Sequence, residues 1–167
     1  MPALPRIRTD VDLATIDEAE FTRLTRRALS HYGDLTRLAS NPLTALPMLV
    51  KRLEQRGAPQ DPIERAAELK ALLAESIERL KPRGKGDFGT SDEWRYYNAL
   101  YFPYIVGLRP YSRRASHQHI DDPAAKAALE WFQSAVPERT LYNWQTAATN
   151  LIAHDLRCQL EESLRTS

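Results

Sequence analysis

The sequence predicts an all-α fold, a bundle of six or seven helices, and three observations carry that prediction. Apolar residues recur at intervals of three and four over most of the chain, which places them on one face of a helix. Three pairs, Asn41-Pro42, Asp61-Pro62 and Asp122-Pro123, stand directly before such periodic segments. Each supplies a side-chain acceptor for the free N–H groups of a first helical turn. Each also supplies a proline whose missing N–H is no loss there. No alternating run rich in Val, Ile and Thr appears, so nothing in the pattern asks for a strand.

Taken in order, residues 1–15 read as an extended arm, with Pro2, Pro5, Arg6 and Arg8. Asp17 or Thr15 caps a helix that carries Phe21, Leu24, Ala28 and Leu29 on one side and Arg23, Arg26 and Arg27 on the other; Gly33 stops it. A short helical turn over residues 34–40 holds Leu35 and Leu38. Asn41-Pro42 opens a helix with Leu43, Leu46, Leu49, Val50 and Leu53, ending at Gly57 and locally distorted by Pro47. Asp61-Pro62 opens the clearest helix, with a stripe of Ile63, Ala66, Leu69, Leu72, Leu73, Ile77 and Leu80. Glu64, Glu68, Lys70, Glu75 and Arg79 are expected on its solvated face.

Lys81-Pro82 ends that helix, and the glycine-containing stretch 83–89 reads as a linker. The organisation expected is therefore an arm (1–15), an N-terminal helical unit (16–82), the linker, and a C-terminal helical unit (90–167). In the latter, Thr90-Ser91-Asp92-Glu93 is a capping signal for an aromatic helix with Trp94, Tyr96, Tyr97, Tyr101, Phe102 and Tyr104, kinked at Pro103. Such a cluster suits a stacking platform for bases or an interface, but at helical spacing core is the expected role. A basic loop follows, with Arg109, Arg113, Arg114, His117 and His119. Asp122-Pro123 opens a helix with Ala128, Leu129, Trp131 and Phe132. After a tight turn at Ser134-Ala135-Val136, Pro137 opens the last helix, which runs to about Leu164.

Composition narrows the function. Of 167 residues 43 % are hydrophobic, enough for a core, and 23 basic residues stand against 22 acidic ones. A net charge of +1 excludes a protein that coats nucleic acid along its whole surface, so nucleic-acid binding has to come from local patches. A single cysteine, Cys158, excludes an internal disulfide and suits a reducing, cytoplasmic setting; it is read as a small packing residue. No apolar run approaches the roughly 18 residues of a membrane span, so no membrane partner is expected. His117, His119, Asp121 and Asp122 have metal-compatible chemistry but lack the spacing of a four-ligand site, and no metal or cofactor is expected. The 83–89 stretch follows a helix and lacks the Gly-Lys-Ser/Thr ending of a phosphate loop. No nucleophile–base motif is present, and nothing argues for an enzyme.

The segment from Ala128 to Trp144 carries the most specific pattern. Val136-Pro137-Glu138-Arg139-Thr140-Leu141-Tyr142-Asn143-Trp144 resembles the turn and second helix of bacterial helix-turn-helix regulators. It is similar to the region-four-like modules of sigma factors, over about residues 124–157. The resemblance implies a C-terminal helix-turn-helix-like pair, DNA binding and a role in transcription regulation, with the second helix in the major groove. Trp131 stands where the pattern has a small residue, Ala135 where it has the turn glycine, and Glu138 puts an acid near the phosphates.

On this reading Arg139, Thr140, Asn143 and Thr146 face the groove, and Arg113 and Arg114 hold phosphates. Arginine and asparagine are the side chains suited to bidentate contacts with guanine and adenine edges. Arg79, Lys81, Arg83 and Lys85 form a second basic string, and Arg6 and Arg8 suit a minor-groove arm. The alternative is a helical interaction module without DNA binding. Ile152, Leu156 and Leu160, in the apolar stripe of the last helix with Leu141, Trp144, Ala148 and Leu151, would then pair with a second copy or a larger protein.

Overall fold

The structure, a computed structural model, describes residues 12–166. Among them are seven α-helices, two short 3-10 turns, one π-helical segment and no strand, as the apolar periodicity requires. Arg6 and Arg8, with most of the expected arm, lie outside the described residues. The helices group into two compact units, one of residues 12–74 and 152–166 and one of residues 75–151. The 83–89 stretch, read as a linker from its glycines, lies inside the second unit.

The first unit holds α1 (Glu18–Ser30), the single turn α2 (Leu35–Leu38), a 3-10 turn (Pro42–Ala45), α3 (Pro47–Arg56), most of α4 (Pro62–Glu78) and the end of α7 (Glu138–Thr166). The expected caps form: Asp17 accepts from the Glu20 N–H at 2.8 Å, and Asp61 from the Glu64 N–H at 2.8 Å. Asn41 does more than cap. Its Oδ1 accepts from the Leu43 N–H at 2.8 Å, while its Nδ2 donates to the Leu24 carbonyl of α1 at 3.1 Å, so both ends of this buried amide are used. Phe21, Leu24, Leu29, Leu38, Leu43, Leu49, Leu53, Leu69 and Leu73 are buried.

Three expectations are corrected in this unit. The helix expected over residues 43–57 is two pieces, broken at Leu46, whose ψ is 131°. Proline disfavours the helical conformation in the residue before it, and Pro47 therefore restarts the helix rather than bending it. Glu68, expected on the solvated face of α4, is 6 % exposed and meets Arg52 Nε and Arg56 Nη2, each at 2.7 Å. A carboxylate can be sunk this far because two guanidinium groups replace its water. Ile63, assigned to the apolar stripe, is 47 % exposed in the first turn of α4.

The second unit holds a 3-10 turn (Asp92–Trp94), α5 (Arg95–Leu100), a π-helical segment (Tyr101–Val106), α6 (Pro123–Ala135) and the start of α7. Its core is aromatic, as expected. Phe88 lies edge-on to Phe102 at 5.6 Å and to Trp131 at 6.0 Å, and Trp131 stacks on Trp144 at 5.9 Å with 19° between the rings. Phe88 explains why the 83–89 stretch is not a free linker: its ring belongs to this cluster. Gly89 is required beside it, because a Cβ there would collide with the Trp94 indole. Asn98 Nδ2 donates to the Gly89 carbonyl at 2.9 Å and holds that close approach.

The kink expected at Pro103 takes the form of the π-helical segment. Proline has no N–H to give the carbonyl four residues back, and the ladder widens around it. The segment ends at Gly107, in the left-handed region at φ 92°, where the Gly107 and Leu108 N–H groups both reach the Phe102 carbonyl.

Candidate nucleic-acid interface

The turn between α6 and α7 is made by two residues, Val136 and Pro137. Val136 is extended, at φ −121° and ψ 107°, as the position before a proline demands. It is buried at 5 % exposure, and its N–H still bonds to the Phe132 carbonyl. Asp122 caps the start of α6 by accepting from the Ala125 N–H at 3.0 Å. Ala125, Ala128 and Phe132 of α6, and Leu141 and Ala148 of α7, are buried. Trp131, standing where the helix-turn-helix pattern has a small residue, is accommodated by stacking on Trp144. That stack is worth about 0.5–1.5 kcal/mol beyond area burial.

The first turns of α7 present the predicted residues unequally. Arg139 and Asn143, four residues apart and so on one face, are exposed and make no side-chain hydrogen bond or ion pair among the described residues. Thr140 is half-buried. Thr146 is half-buried as well, and its hydroxyl donates to the Tyr142 carbonyl of its own helix at 3.1 Å. Tyr142 between them is 60 % exposed. On the flank of this face Gln145 Nε2 donates to the Ala99 carbonyl of α5 at 3.2 Å, which fixes the rotation of α7.

The basic loop is brought to the same end of α7. The Tyr111 hydroxyl donates to the Val136 carbonyl at 2.7 Å, and Gln133 Nε2 donates to the Pro110 carbonyl at 3.0 Å. Within the loop the Arg109 N–H donates to His117 Nε2 at 3.2 Å, and the Arg114 N–H to Ser112 Oγ at 3.3 Å. Arg109, Arg113 and Arg114 are exposed. A groove of about 380 Å³ lies between loop and helix, lined by Pro103, Arg109, Pro110, Tyr111 and Ser112 on one side and Glu138, Leu141, Tyr142 and Gln145 on the other. The Tyr111 phenol is held above its ordinary pKa, first by burial and second by the nearby Glu138 carboxylate. It therefore remains a donor well into the alkaline range. The Tyr111 hydroxyl is thus a structural tie rather than a free polar group. Gln133 and Gln145 carried no sequence signal, since a glutamine on a polar helix face reads as solvated.

The residues proposed as an oligomer surface are corrected. Ile152, Leu156 and Leu160 are 1 %, 0 % and 4 % exposed within the single chain, so their side chains are used in its own core. Leu151, assigned to the same stripe, is 43 % exposed, because Thr149 and Ala153 turn inward instead. Cys158 is exposed, not packed, with its sulfur 3.5 Å from His154 Nε2. Arg79, Lys81 and Arg83 border a separate depression of about 410 Å³ together with Glu78. Lys81 there is bound to Asp87 at 3.6 Å, and Lys85 to Glu93 at 3.5 Å, so the two lysines of this string are paired with acids. Among the described residues no cluster of three metal-ligating side chains occurs, and no helix is long and apolar enough to cross a membrane.

No family model, curated protein or solved structure matches the chain. The functional reading therefore rests on this geometry.

Proposed function

We propose that the chain is a DNA-binding regulatory protein that lays the first turns of α7 in a major groove. The observation that carries this reading is the pairing of Arg139 and Asn143. Two side chains suited to guanine and adenine edges share one exposed face at the start of a helix whose other face is held by buried Leu141 and the Trp131–Trp144 stack. A recognition helix has to be rigid on one side and open on the other. Arg113 and Arg114, tied by Tyr111 and Gln133 to the α6–α7 turn, supply cations beside it for phosphates.

The test is duplex binding followed by fluorescence anisotropy at two salt concentrations. Binding is expected to weaken with salt. Arg139→Ala with Asn143→Ala is expected to weaken it by roughly a hundredfold or more, with helical content unchanged. Equal affinity in wild type and double variant sinks the proposal.

One observation favours a second reading, docking of another protein at the same end. Among the described residues Tyr142 is the most exposed of the large apolar side chains, at 60 %, and it lines the groove with Pro110 and Leu141. Exposed tyrosine is a frequent anchor in protein interfaces. Under that reading binding is insensitive to salt, and Tyr142→Ala removes it while Arg139→Ala does not.

A further inference from the structure

The loop that carries Arg113 and Arg114 has no helix or strand of its own to hold it between Gly107 and Asp122. Side chains do that work. Tyr111 and Gln133 make reciprocal ties: a loop side chain bonds to the turn, and an α6 side chain bonds to the loop. The bonds involve successive loop residues, Pro110 and Tyr111, and both of their backbone acceptors, Pro110 and Val136, belong to buried residues. The Val136 carbonyl lies in the turn just after α6, where helical bonding has ended, and the phenol satisfies it. Arg113 and Arg114 follow the anchored Tyr111 by two and three residues, so their Cα atoms stay within about 7 and 11 Å of it.

We propose that Tyr111, with Gln133, is a latch that keeps Arg113 and Arg114 in register with Arg139 and Asn143, and so positions the phosphate contacts relative to the groove contacts. The proposal rests on the DNA reading above for its purpose, but not for the latch itself. A loop released from the turn would keep its charge but would no longer hold its two arginines against phosphates. It would lose the fixed spacing that lets two phosphates be met at once, because each arginine would then have to be ordered on binding.

Tyr111→Phe removes the hydroxyl alone and leaves the ring in place. The first measurement needs no DNA: limited trypsin cleavage after Arg113 and Arg114, followed by mass spectrometry. Cleavage there is expected to speed up about fivefold in Tyr111→Phe, the effect of one lost hydrogen bond on local opening, with the thermal melt nearly unchanged. The second is the salt dependence of duplex binding. The slope of log affinity against log salt is expected to fall by about two in Tyr111→Phe, as it does in Arg113→Ala with Arg114→Ala. Combining all three substitutions is expected to add little. Unchanged cleavage overturns the latch. Faster cleavage with an unchanged salt slope overturns the positioning role and leaves DNA binding standing. A wild-type protein with no salt-dependent duplex binding overturns both the DNA reading and the positioning role, while the cleavage result still decides whether the latch exists.

Discussion

Arg52 and Arg56 in the first unit converge on one buried carboxylate, Glu68, each at 2.7 Å. Arg139 in the second unit, at the start of α7, meets no acid among the described residues and stands in solvent beside Asn143. The residue type is the same and the roles are opposite. In the first unit the guanidinium groups replace the water that Glu68 lost, so they belong to folding. In the second unit the guanidinium keeps its own water and its five donors, so it remains available to a partner. The difference shows that a count of arginines says little about binding until each one's partner is known.

Substitutions in the two units test this division between residues used in folding and residues left free. The largest effect is expected from Leu156→Asp, which puts an unpaired carboxylate at a position with 0 % exposure. A loss of more than about 4 kcal/mol is expected, seen as loss of the cooperative urea transition. A folded variant with only an altered oligomeric state would return Leu156 to the role of an interface residue.

Glu68→Ala is expected to cost about 2–3 kcal/mol in the same assay. That is less than a fully enclosed pair would cost, because Arg52 and Arg56 are 33 % and 53 % exposed and can rehydrate. A smaller cost than that of Asp122→Ala would contradict the view of Glu68 as a core tie. Asp122→Ala removes the acceptor for the Ala125 N–H at the start of α6 and is expected to cost about 1 kcal/mol. A thermal melt read by circular dichroism measures it. The smallest effect is expected from Arg139→Ala with Asn143→Ala, which should leave stability within about 0.5 kcal/mol of wild type. A larger loss would show that this face is held within the fold rather than free for DNA.

Much of the helix plan was legible in the residues. Asp17, Asn41, Asp61 and Asp122 all cap where their position before a periodic segment says they should. Capping is a contact between near neighbours, and neighbours are what a sequence states. The break at Leu46 was available too, in the single residue before Pro47, but the apolar spacing across it masked the signal. Of the candidate site, the exposed pair Arg139 and Asn143 followed from helical periodicity. The commitments of Thr146 to the Tyr142 carbonyl and of Tyr111 to Val136 did not, because a hydroxyl reads as free until an acceptor is placed beside it.

The same division runs through the long last helix. That it is a helix, where it starts, and that its polar and apolar residues separate onto faces all follow from backbone periodicity and one proline. Packing in three dimensions sets the rest: Leu151 stays outside while Ile152, Leu156 and Leu160 go inside, Cys158 is exposed, and a basic loop is tied to the turn before Glu138. Burial and hydrogen bonding between residues distant in the chain depend on which surfaces meet. Helical periodicity names the face of a helix, not what covers it.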